Sequence, residues 1–357
     1  MMLLAGLALA IALAACGGGN SSSSSTSEEA TSSTEDASST SSSNEEGSSG
    51  DAVAEAKAEL APFVGQPSPF PVTEDLKELP KGATVDYMDC GAPYCSLIFE
   101  ALTPAAEMMG VKLERIKAGF AANTVSAAFD TAVTNKPDAV IITAIEPALY
   151  TKQLKDLQDL EIPVVTVGVT SAEEFGIESP QFGKQAIELD GRLQADYVAL
   201  EFGPDSNVGF FGVPELALTK VTEEAFQEQL ERVCPTCKVE FFPVPVADLG
   251  TKSATDVVSA LQANPDVNVV LMNSGEIAIG LPAALKQAGL DVKTMSGGAG
   301  PENLQMLKEG SETASFATDL PVTAFTLMDV AAREMAGQKV TGAEAEGAGV
   351  QQFLTKE

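Results

Sequence analysis

The sequence predicts an α/β fold made of two doubly wound parallel-sheet units, and two observations carry that prediction. The first is a duplication. Asn135-Lys136-Pro137-Asp138 leads into the apolar run 139–142 and ends at Ala144-Ile145-Glu146-Pro147, while Asn264-Pro265-Asp266 leads into the run 267–272 and ends at Asn273-Ser274-Gly275-Glu276. Each copy joins a Pro-Asp turn to a β-branched run too short for a helix, and then to a polar or breaker cluster that opens an amphipathic helix. After the first copy Tyr150, Leu154 and Leu157 recur at helical spacing; after the second, Ile277, Leu281, Ala284, Leu285 and Ala288 do. The second observation is that strand-like runs alternate with helical patterns along most of the chain, the rhythm of a parallel sheet. A functional surface is therefore expected where strands end and helices begin.

Taken in order, the first unit reads as a strand at 83–88, the loop 89–95, and a helix marked by Leu97, Ile98, Ala101, Leu102 and Ala105 that stops at Gly110. A strand at 111–116 follows. Asn123 or Thr124 can cap a helix carrying Val125, Ala128, Phe129, Ala132 and Val133. The first copy of the repeat, its helix and a strand at 163–167 complete the unit. Ser, Glu, Gly and Pro at 170–181 break the rhythm and suggest a domain boundary. The second unit opens with a long helix at 184–202 and continues with strands at 207–213 and 238–242, separated by a helix at 222–233. A helix at 251–263 precedes the second copy. A strand at 292–295, the Gly-rich loop 296–301, a helix to Lys308, a strand-like run at 313–317 and a helix at 322–336 close the pattern.

The N-terminal end is of a different kind. Residues 1–15 are apolar or small, too few for the roughly 20 residues of a membrane span, and read as a secretory signal segment. Leu13-Ala14-Ala15-Cys16 resembles the lipobox of bacterial lipoproteins, which implies lipidation of Cys16 and a membrane anchor. No Lys or Arg precedes the apolar run, so the start of the natural chain is expected upstream. Residues 16–60, mostly Ser, Thr, Gly, Glu and Asp at first, are expected to be a disordered acidic tether with one short helix at 52–60. Its reach as a flexible coil is roughly 35 Å. Residues 61–81, punctuated by Pro, read as an extended lead-in.

Composition excludes more than it selects. Of 357 residues none is His and none is Trp, and the formal net charge is −30. A Ser-His-Asp triad, a Cys-His pair and His-ligated metal sites are ruled out. No metal or cofactor is expected, and no concentrated basic patch supports nucleic-acid binding. Besides Cys16, the cysteines fall into two close pairs, and in an oxidising compartment these read as the disulfides Cys90 with Cys95 and Cys234 with Cys237. Cys234-Pro235-Thr236-Cys237 also has redox CxxC spacing, but a redox motif opens a helix, whereas this one follows a helix and enters a strand.

From Gly82 onward the chain resembles the periplasmic binding proteins of ABC importers, in the ribose-binding-like class with the type I fold. The resemblance rests on 136–142, Ile162-Pro163-Val164-Val165-Thr166, Asn264-Pro265-Asp266-Val267, Glu276-Ile277-Ala278-Ile279-Gly280, and Ala283-Ala284-Leu285-Lys286-Gln287-Ala288-Gly289. It implies two lobes closing on a ligand and joined by three crossovers, near 169–172, at 319–321 and after Gly337. Lobe one is then 82–170 plus 321–337, and lobe two 171–319 plus 338–357. The chain stops at Thr355-Lys356-Glu357, earlier than relatives usually do, so a truncated C-terminal end is expected.

The strand-end loops together with that resemblance select Tyr94, Asn123, Thr170, Lys220, Asn273, Ser274, Gly297 and Asp319 as ligand-binding candidates. Tyr94 either stacks on a ligand ring or covers the disulfide loop. Asp319 either accepts ligand hydroxyls or serves the hinge, and Glu146 is expected to cap a helix. Asn273 offers both donor and acceptor to a polar solute. The loop 296–300 is expected to be a tight turn more than an anion cradle. Sugar-binding relatives often carry an Asp-Arg pair where this chain has Gly168-Val169-Thr170, and an aromatic with an Asp where it has Gly297 and Gly298. These departures point to a larger, less hydroxylated ligand or to a different contact pattern, with a sugar or polyol the leading expectation. The resemblance implies a monomeric, non-enzymatic protein, anchored outside the cytoplasm, that delivers its solute to ABC permease subunits. Its rivals are a sensory co-receptor of the same fold and a binder of a non-sugar ligand.

Overall fold

The two copies of the repeat become the central strands β3 (Ala139–Thr143) and β7 (Val269–Met272), every residue of which is buried. Burial on both faces is what a continuous apolar run in a parallel sheet requires. The computed structural model describes residues 44–67, 69–178, 180–341 and 350–356. The signal segment, Cys16 and the tether as far as residue 43 lie outside the described residues.

Lobe one is a four-stranded parallel sheet of β1 (Thr84–Asp89), β2 (Lys112–Lys117), β3 and β4 (Val164–Val167), in the order β2-β1-β3-β4. The period of two divides its core. Val85, Tyr87, Ala139 and Ile141 face α2 (Pro93–Met109) and α10 (Leu320–Met335), which contribute Ile98, Leu102, Leu327 and Met328. Met88, Val140 and Ile142 face the other way, toward Val125 and Phe129 of α3 (Ala122–Asn135) and Leu154 and Leu157 of α4 (Thr151–Asp159). Helix α10 thus belongs to lobe one although most strands of lobe two precede it.

Lobe two is a six-stranded sheet in the order β10-β9-β8-β7-β5-β6, built from β5 (Asn207–Gly212), β6 (Lys238–Pro243), β7, β8 (Lys293–Gly297), β9 (Ala314–Thr318) and β10 (Gln351–Thr355). Strand β10, not foreseen in the sequence, pairs antiparallel with β9 and sets Gln351 opposite Thr318. Helices α5 (Lys184–Tyr197) and α6 (Ala217–Val233) cover one face; α7 (Ser253–Ala263) and α8 (Leu281–Ala288) cover the other. Helix α9 (Pro301–Glu309) follows β8. Helices α5 and α6 approach closely at Gly191, where a Cβ would lie 2.6 Å from the Thr222 carbonyl oxygen.

Three expectations are corrected. The tether does not run to residue 60: Asn44–Leu60 is helix α1. Its Ala52, Ala56 and Leu60, spaced one turn apart, bury in the core of lobe two, and Glu55 and Glu59 pair with Arg232 and Arg192 at 2.6 and 3.1 Å. The Ser- and Gly-rich composition of 44–50 hid a helix that tertiary packing supports. The lead-in is not free either, since Phe63 packs edge-on against Phe316 with ring centroids 6.0 Å apart, and the Lys77 amide donates to Gln338 at 2.9 Å. The first crossover also falls later than residue 170. Val169, Ala172 and Ile177 belong to the core of lobe one, and Gln181 bridges to Val167, so the chain leaves that lobe near 183. The second crossover is at Asp319. The third follows α10: Val340 still packs on lobe one, and β10 belongs to lobe two.

Candidate functional site

The carboxyl ends of both sheets converge on a cavity of about 130 Å³ walled by both lobes. Lobe one contributes Ala92 and Tyr94 after β1, Thr143 and Ala144 after β3, Val167 and Gly168 at β4, and Thr323 and Thr326 of α10. Lobe two contributes Leu216, Leu218 and Thr222 after β5, Leu249 after β6, Asn273 and Ser274 after β7, and Gly298 after β8. Thr318, Gln351 and Asp190 of α5 close the floor. Four non-glycine residues have positive φ, and two of them, Ala144 (54°) and Phe182 (47°), line this cavity. Strained backbone concentrates at ligand sites; the other two, Lys136 and Glu161, follow the ends of α3 and α4.

Tyr94 is held by a rigid loop. The Cys90–Cys95 disulfide spans it with Cα atoms 5.9 Å apart, and Asp89 accepts from the Gly91 amide at 2.8 Å and from Arg115 Nε at 2.5 Å. The Tyr87 hydroxyl donates to the Cys95 carbonyl at 2.6 Å. Its ring lines the cavity and reaches lobe two, 3.7 Å from the point a Cβ on Gly298 would occupy, and its hydroxyl bonds the Thr318 side chain. Burial drives its pKa upward, so the hydroxyl stays neutral.

Asn273 is the second anchor, and its orientation is fixed by hydrogen count. The Thr219 hydroxyl donates to the Val213 carbonyl at 2.7 Å, so it can only accept from Asn273 Nδ2, at 2.6 Å. Asn273 Oδ1 is thereby turned away, buried and without a partner among the described residues. Ser274 lines the cavity beside it and donates to Glu276.

Of the other candidates, Gly297 ends β8 just behind the wall, next to Gly298. Lys220 lies outside the wall: its side chain is 79% exposed and pairs with Glu224 at 3.4 Å, while its helix neighbours Leu218 and Thr222 face the cavity. Asn123 is exposed in the first turn of α3. Asp319 is exposed and caps α10, accepting from the Val322 amide at 3.0 Å. Thr170 donates through its amide and its hydroxyl to Glu146 at 2.8 and 3.0 Å. Glu146 makes no side-chain helix cap; it clamps the segment after β4 through Thr170 and Ser171. Cys234 and Cys237 are joined between α6 and β6, away from the cavity.

Asp190 and Gln351 escaped sequence reading. One lies within a helix, and the other on a strand whose place depends on the third crossover. Asp190 Oδ2 accepts from Gln194 at 2.7 Å and Oδ1 from Gln351 at 3.4 Å. Burial pushes its carboxyl up to about 7, more than the two amides pull it down. Glu312, under the loops after β7 and β8, also rises to about 7 by burial, and Asp196 rises to about 6.

A pH dependence follows. Carboxyls with raised folded pKa values hold protons in the native state that the unfolded chain has already released. Stability is then greatest below about pH 4 to 5 and falls as pH climbs toward 7. Each pK unit corresponds to about 1.4 kcal/mol. The Tm of the unliganded protein is expected to drop by about 5 °C or more between pH 5 and 8. Relief of repulsion in a chain of net charge −30 acts in the same direction. Asp190→Asn with Glu312→Gln should therefore flatten the slope; a slope unchanged in that double variant would assign it to surface charge alone.

Two α/β lobes, three crossovers and a cavity between them define a hinged, two-lobed ligand-binding protein. The chain belongs to the periplasmic binding protein domain family, which residues 87–339 match. It is 21% identical over 243 residues to the ribose import binding protein of Bacillus subtilis (strain 168), across 68% of this chain and 76% of that one. Among solved structures it is similar to a 5-methylthioribose transporter solute-binding protein from Thermotoga lettingae, with TM-score 0.68 and 20% identity over 78% of this chain and 88% of that one. It is also similar to a periplasmic solute-binding protein from Actinobacillus succinogenes with bound D-allose, with TM-score 0.66 and 16% identity over 76% and 97%. The fold is that of a type I periplasmic binding protein, and the chain is a solute-binding protein and not an enzyme.

Proposed function

We propose that this protein captures an uncharged sugar or polyol between its lobes outside the cytoplasm and delivers it to an ABC permease. The observation that carries the reading is the cavity wall. Hydroxyl, amide and carboxylate groups from both lobes face it together with apolar side chains, and among the described residues no Lys or Arg lines it. Neutral hydroxylated molecules suit such a wall, which offers many hydrogen bonds and no counter-ion. The kinship with a ribose import binding protein supports the same class. Closure over the ligand, latched by Tyr94 against Thr318, would present both lobes as one surface to the permease.

The test is a thermal-shift screen of sugars, polyols, nucleosides, amino acids and aromatic acids. A ligand at 100 times Kd is expected to stabilise the protein by about 2.7 kcal/mol. Stabilisation by non-carbohydrates alone would remove the sugar assignment.

The lipobox-like Leu13-Ala14-Ala15-Cys16 supports a second element of the reading, anchoring through a lipid on Cys16. Cys16→Ser is expected to shift the protein from the membrane fraction to the soluble extracytoplasmic fraction and to abolish incorporation of labelled fatty acid. Membrane retention of that variant would rule the anchor out. The solute-binding fold is expected to be unaffected.

A further inference from the structure

We propose that Asp190, braced by Gln194 and Gln351, is the recognition point of the cleft, and that it selects an uncharged ligand that carries both hydroxyl groups and an apolar substituent. The proposal deepens the sugar-binding reading and rests on it.

The cavity wall is rich in acceptors. Asp190 lines it and uses one acceptor position on each oxygen, for Gln194 and for Gln351. A carboxylate has about four such positions, so further donors can be taken. Asn273, also in the wall, keeps its Oδ1 buried without a partner among the described residues. A buried acceptor left unmatched is costly, and a ligand that donates hydroxyl hydrogens relieves it. Burial has already pushed the Asp190 carboxyl up to about 7, the mark of a group lacking charge compensation. With no Lys or Arg among the described residues of the wall, a phosphate or carboxylate on the ligand would meet Asp190 unscreened.

Another part of the wall is apolar. Leu218 reaches across from lobe two to within 3.5 Å of where a Cβ on Gly168 would stand, and Leu216 and Leu249 line the wall on the same lobe. An apolar substituent packed on these leucines gains burial, whereas a hydroxyl facing them would lose water for no hydrogen bond from their side chains.

The experiment is isothermal titration at pH 8 with two series: D-ribose, 5-deoxy-D-ribose and D-ribose 5-phosphate, and D-glucose, 6-deoxy-D-glucose and D-glucose 6-phosphate. In the series that binds, the deoxy sugar is expected to bind at least as tightly as its parent and the phosphate at least about 100-fold more weakly, as an unpaired charge demands. Asp190→Asn, which keeps shape and fold, is expected to weaken the deoxy sugar roughly 10- to 100-fold, the loss of a charge-assisted acceptor. Gln351→Met leaves the carboxylate in place and is expected to weaken it roughly 5- to 10-fold. Comparable binding of the phosphate, or unchanged affinity in Asp190→Asn, would overturn this inference and leave the sugar reading standing. Silence of both series toward the wild type would bring down the sugar reading and the inference with it.

Discussion

Arg333→Ala is expected to destabilise the protein by about 3–5 kcal/mol, the range for leaving a buried charge without its partner. Arg333 lies in the last turn of α10 and is 0% exposed. Its Nε meets Asp329 Oδ2 one turn earlier at 2.5 Å, and its Nη2 donates to the Glu74 carbonyl at 2.6 Å. One guanidinium therefore neutralises a carboxylate that is 5% exposed and ties the lead-in to the helix between two crossovers. Alanine removes the charge, the tie and the volume together. The expected loss in Tm is about 10 °C. The double variant Asp329→Leu with Arg333→Met replaces the pair by apolar groups of similar size and is expected to recover most of the loss, because a buried ion pair is worth little against its apolar substitute. A single Arg333→Ala variant within 1 kcal/mol of wild type by denaturant unfolding would mean that water reaches Asp329 and screens it.

How much of this was readable from the chain depends on how far each feature is determined locally. The duplicated Pro-Asp turns and apolar runs are local, and they became β3 and β7 with the cleft loops after them. Tyr94, Asn273 and Ser274, in the loops after β1 and β7, line the cavity because strand ends in a doubly wound sheet point to one edge. Asp319 and Lys220 illustrate the limit. Asp319 is followed by Leu320 and Pro321, a local helix-start pattern, and it spends its carboxylate on a cap, while Lys220, expected just before a helix, lies inside α6. At Lys220 the face of the helix, not its position in sequence, sends Leu218 and Thr222 inward and the charge outward. Asp190 and Gln351 were unreadable because 161 residues separate them and two crossovers bring them together. The helix expected at 52–60 begins earlier, at Asn44, because low-complexity composition describes the isolated segment, while Ala52, Ala56 and Leu60 anchor the helix to the lobe they pack on.

Gly275→Ala is expected to raise the Kd for the ligand found by the screen about 100-fold or more, while costing only about 1–3 kcal/mol of stability, the usual range for overpacking. Gly275 follows Asn273 and Ser274 in the second copy of the repeat. A Cβ there would lie 2.5 Å from Asn303 Oδ1 and 2.9 Å from the Gly298 carbonyl oxygen. Asn303, 2% exposed, holds the loops together: Nδ2 donates to the Gly275 carbonyl at 3.2 Å and to Glu312 at 3.1 Å, and Oδ1 accepts from the Gly300 amide at 3.0 Å. The new methyl must push either Asn303 or the backbone at Gly298. The first choice loosens both loops, and the second drives Gly298 toward the Tyr94 ring and obstructs the latch between lobes. Asn273 and Gly298 are wall residues, so a displacement that lobe two tolerates is felt mainly by the ligand. Gly275→Ala with Asn303→Ala is expected to regain part of the affinity, because the methyl then occupies the space of the missing carboxamide, a coupling that independent sites would not show. Titration of both variants, with near-UV circular dichroism to confirm packing, decides the matter. An unaltered Kd in Gly275→Ala would mean that the loop after β7 is not part of the binding wall.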